Sequence, residues 1–255
     1  MSLLIYGSNA KVSLLPSIGQ PSFSDFDSDP AALMPGETGS GGLVGSDITT
    51  VDQVGSPFPN NGLAVDFFAQ KSKNPKTAAW IAVPNVCYYP VMFSGDNTWF
   101  LDHNVLGGYS KQGAIFADAS NKPDFDSGAV LTYGRRAQDG SMYAWLQRFE
   151  SESFFRANPP IELFDGEYLR YYIPFTVLLA ADNAGSPDLT AKSPDDYKAH
   201  MAKLMEQSIV KLEPYKTPDL TAPTLFLAAF DDESLGARLI VGAYQAKKIR
   251  YILED

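Results

Sequence analysis

Thiols, imidazoles and clustered positive charge are all scarce in this chain of 255 residues. A single cysteine, Cys87, excludes an intrachain disulfide, and the two histidines, His103 and His200, have no cysteine cluster to complete a zinc centre. No metal and no other cofactor is expected. The formal net charge is −10 with no basic block to offset it. Nucleic acid is therefore disfavoured as a partner, because its phosphates are bound through clustered Lys and Arg that release counterions. No run of roughly eighteen apolar residues, the length needed to span a bilayer, occurs. The opening Met1-Ser2-Leu3-Leu4-Ile5-Tyr6 is too short for a signal peptide and lacks its charged flank.

An apolar content of 45% is present, enough for one sizeable core. Residues 16–62 are instead dense in Pro, Gly, Ser and Asp, as in Pro35-Gly36-Glu37-Thr38-Gly39-Ser40-Gly41-Gly42. Such a composition buries too little to offset chain entropy, so residues 1–60 read as an extended arm or linker and 61–255 as the domain. Leu3-Leu4-Ile5-Tyr6 and Val12-Ser13-Leu14-Leu15 are the arm's candidate strands. Leu63, Phe67 and Phe68 lie at helical spacing before Pro75. Strand-like stretches follow at 80–83, 88–93, 113–117, 128–133, 160–164, 169–180, 223–230 and 238–245, separated by Gly, Pro and Asn turns. Short strands at this density predict an all-β dominated fold closed into an eight-stranded barrel. Between the sixth and seventh, Ser193-Pro194-Asp195-Asp196 reads as a helix start with a Ser cap, Pro in the first turn and acids at the N-terminus. Met201, Leu204, Met205, Ser208 and Ile209 give that helix one apolar face.

The seventh stretch, Thr224-Leu225-Phe226-Leu227-Ala228, with Arg238 ten residues later in Ala237-Arg238-Leu239-Ile240-Val241, resembles the segment that carries the nucleophile and arginine of sortases. In that family the first run reads Thr-Leu-Ser-Thr-Cys. Leu131-Thr132-Tyr133-Gly134-Arg135 is similar to the strand that ends in Tyr-Gly-His in class B sortases, and Asp139-Gly140-Ser141-Met142-Tyr143 to the start of the helix after it. Trp80-Ile81-Ala82-Val83-Pro84, Tyr89-Pro90-Val91, Asp96-Asn97, Phe100-Leu101, His103-Asn104, Tyr109-Ser110-Lys111, Gly113 and Ile115-Phe116-Ala117-Asp118 follow in the family's order. The chain is thus identified as a degenerate class B sortase-like protein over roughly residues 61–255. The resemblance implies a barrel with an N-terminal helix and a long helix inserted between strands six and seven, walling one side of a peptide groove.

The resemblance also implies where the chemistry should be. Sortases attack a sorting-signal peptide with a thiolate, hold it as a thioester and pass it to an amine. Here Ala228 occupies the cysteine position and Arg135 the histidine position; Arg238 is retained. Alanine is no nucleophile, and an arginine is a poor proton donor near neutrality. Loss of nucleophile and base together removes on the order of 10⁶ in turnover in a dissected triad. Cys87, in Val86-Cys87-Tyr88-Tyr89, is expected to be buried and inert rather than a relocated nucleophile.

Three functions follow. The first is a silent sortase that binds a sorting-signal-like peptide, or a surface or pilus protein, through its groove, with Phe226, Leu227, Tyr133, Asp231 and Asp232 lining it and no catalysis. The second is an active transpeptidase whose cysteine has been replaced by alanine. The third is a structural module of a surface assembly docked through residues 1–60. Arg135 and Arg238 would hold a carboxylate or phosphate, or Arg135 would pair with an acid of the Asp231-Asp232-Glu233 loop. The family implies an extracellular, membrane-anchored protein whose anchor is a leader not contained in this sequence.

Overall fold

A computed structural model describes residues 60–121, 125–126, 128–157, 160–179, 193–210, 221–231 and 239–250. The arm expected over 1–60 lies outside these apart from Asn60, which opens helix α1 (Asn60–Lys73). The helix stops where Asn74 turns the chain: its N–H donates to the Gln70 carbonyl at 2.9 Å and its side-chain oxygen accepts from Lys76 N at 3.0 Å. Of the two phenylalanines at helical spacing, Phe67 is buried edge-to-face on Phe164, with ring centres 5.4 Å apart, and Phe68 is exposed.

Eight strands follow: β1 (Thr77–Val83), β2 (Cys87–Met92), β3 (Phe116–Ala117), β4 (Ala129–Arg135), β5 (Ile161–Phe164), β6 (Tyr168–Leu179), β7 (Thr224–Phe230) and β8 (Leu239–Arg250). They close into a barrel, as the strand pattern predicts, and the strand order is β1-β2-β3-β4-β7-β8-β6-β5. Only β3 is much shorter than expected. Residues 113–115 are drawn out of it by a turn in which Gly113 N bonds the Ser110 carbonyl at 2.9 Å and Ala114 N bonds that of Phe100 at 3.0 Å. A 3-10 helix (Ala144–Glu150) and helix α2 (Glu152–Ala157) link β4 to β5.

Alternation along the strands builds two large cores beside a smaller cluster of Phe67, Ala82, Phe164, Leu169 and Tyr171. Every strand contributes to the inner one, which holds Ile81, Val91, Ala117, Val130, Leu163, Tyr172, Leu227 and Val241. The second lies on the outer face of β4, β7 and β8, beneath helix α3 (Pro194–Glu206), and includes Phe226, Ala228, Phe230, Tyr133, Ile240, Met201 and Leu204. The start of α3 is as expected, with Ser193 Oγ accepting from Asp196 N at 3.1 Å and Pro194 in the first turn. Its end is not. The helix terminates at Glu206, so Ile209 falls past it and is 44% exposed rather than part of the apolar face. Thr176 Oγ1 donates to the Leu204 carbonyl at 2.9 Å, and Tyr197 Oη donates to that of Gly128 at 2.7 Å, which ties α3 to β6 and to the start of β4. Among the described residues no helix is long and apolar enough to cross a membrane.

Candidate functional site

Strands β4 and β7 run parallel and in register, with Tyr133 opposite Ala228 and Arg135 opposite Phe230. This pairing brings together residues 93–95 positions apart in the chain and sets Ala228 two register positions from Arg135. All seven residues of β7 are buried, because the barrel interior covers one face and the outer core the other. A strand wedged in this way needs a continuous apolar run, and Thr-Leu-Phe-Leu-Ala-Ala-Phe supplies one.

Ala228 is 0% exposed. Phe226 and Phe230 flank it along the outer face of β7, with Tyr133 beside it on β4 and Ile240 beside it on β8. A methyl group is thus enclosed on four sides by larger apolar side chains. Phe226 fits because its cross-strand neighbour is Gly242, where an added Cβ would come within 2.8 Å of the Phe226 ring and 2.6 Å of Thr176 Cγ2.

The expected lining residues are therefore redistributed. Phe226 and Tyr133 form a packed floor instead of an open wall. Leu227 points into the barrel interior, since its neighbours in β7 take the outer face. Asp231, one of the three acids expected near Arg135, pairs with Arg136, whose Nε lies 3.4 Å from Asp231 Oδ1; Glu233 lies outside the described residues. Asp232 and Arg238 lie outside the described residues.

Arg135, at the end of β4, has no acidic partner among the described residues. Its Nε donates to the Gln112 carbonyl at 3.4 Å and its Nη2 to that of Leu101 at 3.3 Å. The guanidinium carbon sits 5.0 Å from the centre of the Phe230 ring. Both carbonyls come from the segment between β2 and β3, so that segment and the Phe230 ring together hold a half-buried guanidinium at the rim of the covered floor.

Tyr133 is fixed through Asp118, a buried carboxylate that sequence reasoning placed in the family pattern without a role. Tyr133 Oη and Asn97 Nδ2 each donate to Asp118 Oδ2 at 2.9 Å, and the backbone N and Oγ of Ser120 donate to Oδ1 at 2.8 and 2.5 Å. Burial by itself would raise the Asp118 pKa, but the bonds from Ser120, Tyr133 and Asn97 outweigh it and hold the group below its ordinary 3.8. A carboxyl depressed in the folded state stabilises above its unfolded pKa, and that contribution is lost as pH falls through the folded one. Stability is expected to drop as acid takes the pH below about 4. In Asp118→Asn that acid limb should flatten while stability at pH 7 decreases, as read by urea unfolding across pH. An unchanged limb would remove Asp118 from this role.

The other nucleophile and imidazole candidates lie elsewhere. Cys87 is buried at the start of β2, and desolvation pushes its thiol far above the usual range, which makes it a poor nucleophile. His103 stacks on Trp99 with ring centres 3.8 Å apart, and its Nδ1 lies 2.6 Å from Asp102 Oδ1. His200 lies on α3. Among the described residues no group of three or more His, Cys, Asp or Glu is arranged to hold a metal.

The architecture has well-defined counterparts. Sortase B of Listeria monocytogenes is 25% identical over 138 residues, which cover 53% of this chain and 56% of that protein. The chain thus spans about half the length of the curated relative it matches. Sortase B of Clostridium perfringens superposes with a TM-score of 0.60 at 25% identity, over 70% of this chain and 98% of that structure. The Staphylococcus aureus sortase B–substrate complex gives a TM-score of 0.63 at 18% identity, over 74% of this chain and 86% of that one. No family model matches. The closed eight-stranded barrel is thus matched over most of its length by solved class B sortases, and the chain is similar to that family in fold and in part of its sequence.

Proposed function

We propose that this protein is a catalytically silent class B sortase-like protein that binds a peptide, or a surface or pilus protein, at the rim of the closed face formed by β4 and β7. One observation carries the reading: the nucleophile position is an alanine, fully enclosed by Phe226, Phe230, Tyr133 and Ile240. A thiol there would lack solvent access and would have its pKa raised by desolvation, so the enclosure works against the thiolate as much as the missing sulfur does. The acid–base position works against turnover too, because Arg135 stays charged while its donors rest on carbonyls. A peptide partner is supported by relatives: one structure is a sortase B–substrate complex and another a sortase B complexed with triglycine. The same reading puts the protein at the surface of a Gram-positive-type cell, membrane-anchored in its native form.

The test is incubation of a sorting-signal peptide library with the protein and with the double variant Ala228→Cys/Arg135→His. Binding is scored by calorimetry and cleavage by mass spectrometry. Binding without cleavage is expected from the protein as it stands. The double variant should also remain silent, since its new thiol is enclosed. Cleavage by the unmodified chain overturns the proposal. Efficient cleavage by the double variant would favour a working transpeptidase whose cysteine had been exchanged, and absence of binding would favour the structural-module reading.

A further inference from the structure

The outer rim of β4 ends in two consecutive arginines with different surroundings. Arg136 is neutralised: its Nε faces Asp231 at 3.4 Å and its Nη2 donates to Gln147 Oε1 at 2.8 Å. Arg135 has no acidic partner among the described residues, although the chain carries 30 acidic residues against 20 basic ones. Its two protein bonds are long, at 3.4 and 3.3 Å, and both go to neutral backbone carbonyls. Those carbonyls engage one hydrogen each of Nε and Nη2. Of the five guanidinium donors, three remain, two of them on Nη1. Nη1 makes no hydrogen bond among the described residues and Nη2 keeps one hydrogen, enough for a parallel fork, while the carbonyl bonds and the Phe230 ring hold the plane in place.

We propose that Arg135 is a carboxylate receptor, taking the two oxygens of one carboxylate end-on through Nη1 and Nη2. The inference rests on the peptide-binding reading and specifies the ligand. A peptide reaching this rim would present either its C-terminal carboxylate or an Asp or Glu side chain. A terminal carboxylate is what hydrolysis of a peptide bond leaves, so its preference would place this protein after a cleavage step carried out elsewhere. The shape of the site favours a planar anion: the fork matches two coplanar oxygens, and the ring beneath it keeps the guanidinium from tilting. A lysine at this position would supply charge without the fork.

The experiment uses peptides of the sorting-signal library in three forms: with a free C-terminal carboxylate, as the carboxamide, and as the carboxamide carrying one internal Asp. Affinity for the full chain is measured by calorimetry, alongside Arg135→Gln and Arg135→Lys. Circular dichroism and thermal unfolding verify that both variants fold. A carboxylate-bearing form is expected to bind about tenfold or more tightly than the plain carboxamide. Arg135→Gln should abolish that preference, and Arg135→Lys should restore only a small part of it. Preference for the free terminus identifies a cleaved chain end as the ligand, and preference for the Asp form identifies an acidic side chain. Equal binding of all three forms, unaffected by either variant, overturns the receptor while leaving peptide binding intact. No binding of any form overturns both.

Discussion

Replacing Arg170 by methionine is expected to destabilise the protein by about 3–5 kcal/mol, the cost of removing one partner from a buried ion pair. The Arg170 side chain is 0% exposed and that of Asp165 8%, so solvent screening does little to discount their interaction. Arg170 lies opposite Leu163 in the β5–β6 pairing and therefore enters the barrel end, where Nη1 donates to Asp165 Oδ2 at 2.5 Å and Nη2 to Asp126 Oδ1 at 3.0 Å. Lys248 Nζ on β8 donates to the same Asp126 oxygen at 2.6 Å, so the network joins β6, β8 and the segment before β4. Hydrogen bonds from Lys248 and Arg170 hold the Asp126 carboxyl below its ordinary range. Methionine would leave Asp165 buried without its charge partner. At roughly 2–4 °C per kcal/mol for a domain of this size, the melting temperature should fall by about 10 °C or more. The double variant Arg170→Met/Asp165→Leu should regain much of the loss, because an apolar pair in place of a buried ion pair is close to neutral. Urea unfolding of the three proteins decides the matter: a loss below about 1 kcal/mol in the single variant would mean the network contributes little.

Gly113→Ala should cost about 3 kcal/mol or more, and it couples stability to the candidate site. Gly113 has φ +68°, a conformation that penalises any side chain. An added Cβ would press on the Phe100 carbonyl oxygen and sit 2.7 Å from the Leu101 oxygen and 2.9 Å from the Leu101 carbonyl carbon. These are backbone atoms that cannot rotate away, and the Phe100 oxygen also accepts from Ala114 N at 3.0 Å. Relief requires moving residues 100–101, and with them the Leu101 carbonyl that holds Arg135 Nη2. A lower melting temperature together with weaker carboxylate binding is the expected result. A destabilised variant that retained full affinity for carboxylate-ended peptides would show that the Leu101 carbonyl does not position Arg135.

Much of the barrel was readable from local pattern. The apolar run of β7, the alternation in the other strands and the Ser193-Pro194 start of α3 are each encoded within a few residues, where backbone sterics and capping act. Element ends were less readable. β3 shrank to two residues because Gly113 turns the chain before it, and α3 stopped at Glu206, short of Ile209. The helix end carries no glycine or proline to signal it.

The residue types at the candidate site, Ala228 and Arg135, were likewise visible in the chain, as was a motif order that resembles class B sortases. Their surroundings were not. Whether Phe226 and Tyr133 frame a cleft or cover Ala228 depends on the register of β4 against β7 and on α3 closing over that face. Asp231 took Arg136 as its partner, leaving Arg135 to carbonyls 34 and 23 positions earlier in the chain. The sequence by itself determined the strand set and the resemblance to class B sortases, because propensity and motif are properties of neighbouring residues. The tertiary structure alone decided that Ala228 is sealed and that Arg135 rests on two backbone carbonyls, since burial and hydrogen-bond partners arise only when distant strands come into register.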